Sequence, residues 1–172
     1  MRKYIDMKSA FKMAFCLAVV ILALSSPVEA QEPPPRPLVV HVTAQMLSFG
    51  AFAHGATGGT VSISSGGIRT STGDVILLSL LNPPSTARYE VIANPGTIIT
   101  ILNGPDVSLP GSNGGSITLT IGASDPASPF VTTTAPPLPN YLDIGGTITI
   151  GNTAANPPGD YSGTYEIIFV QQ

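Results

Sequence analysis

The sequence predicts an all-β chain folded as a single antiparallel β-sandwich, and three observations carry that expectation. Short runs rich in Val, Ile, Leu, Thr and Tyr recur along the chain after residue 30. Clusters of Gly, Pro, Asn and Asp separate them, so no window reaches three turns of helix. Within several runs apolar and hydroxyl residues alternate. Val61 and Ile63 share one face and Thr60, Ser62 and Ser64 the other; Ile117, Leu119 and Ile121 repeat the pattern, as do Ile148 and Ile150. That period of two marks a sheet with one buried and one wet face. Many short strands with no helices between them pack as a sandwich or barrel.

Taken in order, the expected strands are 38–44, 46–53, 60–64, 75–80, 88–93, 97–102, 116–121, 130–134, 147–151 and 161–170. In the first, Leu38, Val40, Val42 and Ala44 fall on one face. The stops between strands are Gly66-Gly67, Asn82-Pro83-Pro84, Asn94-Pro95-Gly96, Gly104-Pro105-Asp106, Asn113-Gly114, Asp125-Pro126 and Asn156-Pro157-Pro158. Gly supplies positive φ, Pro a fixed φ, and Asn and Asp bond their side chains to nearby backbone. The last strand differs, because Ile167-Ile168-Phe169-Val170 is apolar without a break. It is expected to be buried on both faces or to form an edge that something covers.

One pattern occurs three times: Gly58-Gly59-Thr60-Val61-Ser62-Ile63, Gly114-Gly115-Ser116-Ile117-Thr118-Leu119 and Gly145-Gly146-Thr147-Ile148-Thr149-Ile150. Its spacing is irregular, so it is not a solenoid repeat. Each Gly pair is expected to make a turn or bulge before a strand. No Lys and no helix follow the glycines, which excludes a phosphate-binding loop.

Residues 1–30 have the format of a cleavable signal peptide. Arg2, Lys3, Lys8 and Lys12 are basic, the run Met13 to Leu24 is apolar, and Val28 and Ala30 stand at the −3 and −1 positions. The apolar run falls short of the ~20 residues of a spanning helix. Cys16 lies within that run behind Phe15, where lipid attachment would want a small residue. The expected organisation is therefore 1–30 signal peptide, 31–37 Pro-rich leader and 38–172 sandwich domain. The expected destination is the periplasm, the cell surface or the medium.

Cleavage would remove the only cysteine, so the mature chain could form no intramolecular disulfide. It would leave Arg36, Arg69 and Arg88 against eight carboxylates, a net charge of −5. A basic footprint for nucleic acid is absent, as is a polybasic face for anionic lipid.

The chemistry-bearing residues are sparse. His41 sits in an alternating strand and His54 in an expected loop before Gly55; with no Cys and few acids nearby they do not make a zinc set. No Gly-x-Ser-x-Gly elbow is present. Asp106, Asp125, Asp143 and Asp160 are scattered singly in turns, without the clustered oxygens calcium needs. The mature chain has no Trp, which disfavours a sugar cleft and a stacking lectin site. No catalytic, cofactor-binding or metal residue is assigned, no cofactor is expected, and the chain is not expected to be an enzyme.

Leu47-Ser48-Phe49-Gly50-Ala51-Phe52, Gly55, the Gly58–Ile63 motif, Arg69 and Thr72-Gly73 resemble the opening of a bacterial secreted domain-of-unknown-function family. The motif from Gly145 to Ile150 and Gly159-Asp160-Tyr161-Ser162-Gly163-Thr164-Tyr165 resemble its closing pattern. The likeness implies an exported β-sandwich with no assigned activity. More distantly, the same ends resemble chaperone–usher pilins and spore-coat-U-like subunits, which share a Phe-Gly step early and a closing Gly-x-Tyr strand. Gly159 is fourteenth from the end, as in pilins, but the next-to-last residue is Gln171 rather than an aromatic. This likeness implies an Ig-like or pilin-like sandwich and a fimbrial or coat-type subunit assembled through strand pairing. The segments expected to take part are 38–44 and 161–170. Whether 38–44 is a donor strand or the domain's own first strand stays open at this level. The alternative is a monomeric secreted binding module that uses end loops such as 82–87 or 124–139; an enzyme is a remote third.

Overall fold

Alternation decides which side of each strand is buried, and pairing register then decides which residues share that side. The structure is a computed structural model and describes residues 37–80 and 82–172; the signal segment and nearly all of the Pro-rich leader lie outside the described residues. Among the described residues ten strands form, all pairs are antiparallel, and there is no helix.

In chain order the strands are β1 (Val39–Val42), β2 (Phe52–Ile63), β3 (Arg69–Leu77), β4 (Ala87–Ile92), β5 (Ile98–Asn103), β6 (Val107–Pro110), β7 (Ser116–Asp125), β8 (Phe130–Val131), β9 (Asn140–Ile150) and β10 (Ile167–Gln171). β9 organises the larger sheet. One of its edges carries β7 along its length. The other carries β4 opposite its first half, with Leu142 facing Tyr89, and β2 opposite its second half, with Ile148 facing Val61. β1 extends the sheet beyond β4, β3 beyond β2, and β6 beyond β7. The second sheet is small, in the order β10-β5-β8. The two sheets make the expected β-sandwich.

The core lies on the inward face of these ladders. Val61, Val91, Ile99, Leu142, Ile144 and Ile148 are almost completely buried. Each contributes about 1.5–3 kcal/mol of transfer free energy, enough for two or three per strand to hold a sandwich without disulfides.

The Gly pairs differ in role. Gly58 and Gly59 form a bulge inside β2, where the register with β3 shifts between His54 and Gly59; Gly58 has φ +70°. Arg69 secures the bent hairpin by donating to the carbonyls of Ala51 and Leu78, at 2.6 and 3.1 Å. Gly145 and Gly146 do not precede a strand, as expected, but lie inside β9. They sit where β9 changes neighbour from β4 to β2, and a side chain at Gly145 would run into the backbone of Ile63 and Ser64.

Other expectations are corrected. Most of the run 46–53 is not a strand: Met46 is exposed, Ser48 pairs only in a bridge with Ser85, Gly50 turns the chain, and just Phe52 and Ala53 at its end belong to a strand, the start of β2. The expected 60–64 and 147–151 are the second halves of longer strands, β2 and β9. The expected 75–80 is the end of β3, and 130–134 shortens to the two residues of β8. Of 161–170 only the last four residues are in a strand, β10, since Tyr161 merely bridges to Gly111 on the way. β10 is not buried on both faces: Ile168 is 47% and Val170 38% exposed, because β10 is an edge strand with an open outer face. His54 lies not in a loop but half-buried within β2.

Candidate functional site

β1 and β10 are edge strands of different sheets, and a hydrogen bond ties the start of one to the end of the other. At one end the Leu38 amide donates to Gln171 Oε1 at 3.1 Å. At the other, Val42 pairs with Tyr89, and Tyr89 meets Tyr165 just ahead of β10. The two edges run antiparallel, yet no ladder joins them among the described residues. The sandwich is open along this side.

The side chains facing the opening behave accordingly. Leu38 just ahead of β1, Val40 within it, and Tyr165, Ile167 and Phe169 at β10 pack on the core but stay only half-buried. Val42, on the same face of β1 by alternation, is 74% exposed. Sequence reasoning put Val42 and Ala44 on the buried face with Leu38 and Val40; they share the face, but nothing covers their end of it.

Tyr89 forms the floor of the opening. Its ring lies 5.5 Å from that of Phe169, tilted by 57°. Its hydroxyl donates to the Tyr165 hydroxyl at 3.2 Å. Burial pushes the Tyr89 phenol well above its usual range, and the bond to Tyr165 adds to the effect. Sequence reasoning singled out 38–44 and 161–170 but missed Tyr89. The signal was available, since Tyr89 and Val91 alternate with Arg88 and Glu90.

β1 is the domain's own first strand here, for it pairs with β4 of the same chain from Val39 to Val42. The attachment continues past β1: the Thr43 amide bonds the Arg88 carbonyl, the Arg88 amide bonds the Gln45 carbonyl, and Ser48 and Ser85 exchange a pair of bonds. Gln45 Nε2 adds bonds to the Thr86 carbonyl and hydroxyl.

The residues weighed for chemistry lie apart. His54 Nε2 donates to the Asn156 carbonyl at 3.0 Å. His41 is exposed and faces Glu90 across the β1–β4 ladder. Asp143 takes a bidentate contact from Arg88, at 3.0 and 2.8 Å, and a bond from the Thr86 hydroxyl. The Arg88 bonds hold the Asp143 carboxyl below the usual range against the opposing effect of its partial burial. Asp125 stands opposite Asp143 in the β7–β9 register, while Asp106 and Asp160 lie outside the strands elsewhere. Among the described residues no three His, Cys, Asp or Glu side chains gather as a metal set.

The end loops are tied down. The Ser128 hydroxyl accepts from the Ile101 amide at 2.8 Å, extending the edge of β5. The buried Thr132 hydroxyl bonds the Asn94 carbonyl, and Asn140 Oδ1 accepts from the amides of Thr133 and Thr134. Thr86 and Ala87, at the end of the other loop, are buried.

Residues 40–170 match the family model described as a domain of unknown function, DUF4402. Comparison with curated proteins and with solved structures finds no match. The matched span runs from β1 to β10, and by it the chain belongs to the DUF4402 family.

Proposed function

We propose that this chain is an exported structural or surface subunit, of fimbrial or coat type, that assembles by accepting a strand into the open side between β1 and β10. One observation carries the reading: the outer edges of β1 and β10 are unpaired among the described residues, and the core-facing side chains at these edges are half-covered. An extended segment laid there would pair with exposed backbone groups and complete the burial, which is recognition by β-augmentation.

Magnitudes say what the segment must do. Full burial of such side chains contributes about 1.5–3 kcal/mol each, so five half-covered ones leave roughly 4–7 kcal/mol to gain. Association costs about 4–15 kcal/mol in lost freedom. Apolar contact alone does not hold a partner, and main-chain bonds along the edges must add to it. Four of the seven residues 31–37 are proline, which lacks the N–H a ladder needs, so the leader is a spacer rather than the inserted strand. The segment 38–44 of a second copy has the required alternation, as does any extended arm with apolar residues at every second position.

The test is the assembly state of the mature chain, with and without residues 31–37, by light scattering and by unheated denaturing gels. Multimers that survive detergent until heated are expected for the mature chain. Monomers at every concentration in both forms, with no heat-resistant species, would overturn the reading. Hydrogen exchange on the assembled form should show new protection at Val39–Val42 and Ile167–Gln171.

A further inference from the structure

The pair Asn-Gly occurs twice in the sequence, at Asn103-Gly104 and Asn113-Gly114. It is open to an internal reaction, because the Gly amide nitrogen has no side chain beside it and can attack the Asn side-chain amide. The fold treats the two pairs differently. Asn103 ends β5 opposite Ile167 of β10, and the Gly104 amide carries that ladder on by donating to the Glu166 carbonyl at 2.9 Å. Asn103 Nδ2 donates to the Gly122 and Ile121 carbonyls at 3.0 and 3.3 Å. A Cβ at Gly104 would come within 2.8 Å of the Glu166 oxygen, so the chain is closely packed there.

Asn113 and Gly114 stand exposed in the turn between β6 and β7. The Gly114 amide donates within the turn, to the Gly111 carbonyl at 3.1 Å. Gly114 has φ +90°, and nothing lies within 4 Å of the place a Cβ would take. Asn113 Nδ2 reaches out of the turn and donates to the Pro158 carbonyl at 2.6 Å. Beside it the Ser112 amide donates to the Asp160 carbonyl at 2.9 Å, the Asp160 amide donates to the Ser112 hydroxyl at 3.0 Å, and Gly111 bridges to Tyr161. These contacts fasten the segment after β9 to the hairpin, and Asn113 supplies one of them.

We propose that Asn113 is a site of spontaneous deamidation and that the change unfastens segment 157–161 from the β6–β7 hairpin. The Gly114 nitrogen bonds to Asn113 Cγ, the Cγ–Nδ2 bond breaks, and Nδ2 leaves as ammonia with the proton of the Gly114 amide. Water then opens the imide ring at either carbonyl and leaves aspartate or isoaspartate. Either product puts a carboxylate where a donor faced the Pro158 carbonyl, on a segment that already carries Asp160. Two acceptors with no proton between them do not hold that contact. Both hydrogen bonds at Asn113-Gly114 must open before the attack, and local opening costs least in an exposed turn. At Asn103-Gly104 the same attack requires the end of the β5–β10 ladder to part and both Nδ2 bonds to break. The proposal does not depend on strand addition.

The mature chain and a free peptide of residues 109–118 are incubated in parallel in mildly alkaline buffer, and peptide mapping by mass spectrometry follows each Asn. Conversion at Asn113 is expected to be about 30-fold slower than in the peptide, the factor for opening two ordinary hydrogen bonds, and slower by a further factor of about five or more at Asn103. No conversion at Asn113 within the time this factor allows overturns the site, and so does conversion at Asn103 as fast as at Asn113. The deamidated fraction, separated by its added charge on an anion exchanger, and N113D made directly are then compared with the unmodified chain by hydrogen exchange. Circular dichroism melts check that N113D folds. The Ser112 and Asp160 amides are expected to exchange about fivefold faster, the factor for losing one hydrogen bond, while the amide of Ile148 in β9 is unchanged. Unchanged exchange at Ser112 and Asp160 overturns the unfastening. Equal acceleration at Ile148 also overturns it, because the whole domain would then be destabilised rather than one segment released.

Discussion

Tyr89 of β4 and Phe169 of β10 meet ring to ring at 5.5 Å, and theirs is the aromatic contact that spans the two sheets at the open side. Phe169 faces in while its neighbours Ile168 and Val170 face out, so a single-residue slip of β10 would exchange them. Phe169→Ala is expected to cost about 2–3 kcal/mol, less than the 3–5 of a fully buried Phe because the ring is half-covered. Ile168→Ala should cost under about 1 kcal/mol. Urea midpoints at unchanged m-value check both, and a reversed order would mean that β10 pairs in the other register.

The same Tyr89 gives the fold an alkaline limit. Its folded pKa is raised by burial and by Tyr165, whereas in the unfolded chain the phenol ionises near its ordinary value of about 10. Above that value the unfolded state binds fewer protons than the folded state. Stability is therefore fully present below about pH 10 and falls by up to about 1.4 kcal/mol per unit as pH rises toward the folded pKa. Tyr89→Phe should flatten that decline, and urea titrations between about pH 8 and 11 would show it.

Strand identity was legible where alternation is clean. The reading of 88–93 missed β4 by one residue because Tyr89 and Val91 alternate with Arg88 and Glu90. The first half of β3 was not legible, since its inward position Ser71 is polar and its outward Thr70 and Thr72 resemble a loop. β6 has four residues between Asp106 and Gly111 and too few apolar positions to register a period. The edges 38–44 and 161–170 were picked out by pattern, but which edges lie together is a property of topology. No local signal tells Leu38 that Gln171 will be its neighbour, or Phe169 that its ring will meet Tyr89.

Asp143 sets a mild acid dependence. Arg88 holds its carboxyl below the usual range, so the contribution is present above about pH 4, the unfolded value, and is lost as pH falls through the folded value. Arg88 is 44% exposed, which screens the pair, so Arg88→Met is expected to lower stability only slightly at neutral pH. It would also leave Asp143 facing Asp125 without a counter-ion. The difference between the unmodified chain and Arg88→Met should shrink below about pH 4, as measured by thermal melts across the acid range.

Gly145 is required for space. A methyl there would meet the Ser64 carbonyl carbon at 2.8 Å and the Ser65 amide at 2.9 Å, both backbone atoms fixed by the turn after β2. Gly145→Ala should cost about 3 kcal/mol, the upper end of overpacking. Gly66→Ala is the comparison, because the nearest atom to its methyl is a serine hydroxyl 3.8 Å away; it should be within about 0.5 kcal/mol of neutral.

Asn156 joins three elements from a site that is 2% exposed. Its Oδ1 accepts from the Gly151 amide after β9, its Nδ2 donates to the Ser116 carbonyl of β7 at 2.6 Å, and its backbone carbonyl takes the bond from His54 of β2. Asn156→Ala leaves the half-buried Gly151 amide and the Ser116 carbonyl without these partners, so a loss of about 1–2 kcal/mol is expected. Asn156→Asp keeps the acceptor for Gly151 but turns the donor into an acceptor aimed at the Ser116 carbonyl. A carboxylate buried there would have its folded pKa raised, so its protonated form is favoured and stability recovers as pH falls. The gap between Asn156→Asp and the unmodified chain should therefore narrow from pH 7 toward about pH 4, while that of Asn156→Ala stays constant. Parallel pH profiles for the two variants would show that the Nδ2–Ser116 bond is not what holds the loop to β7.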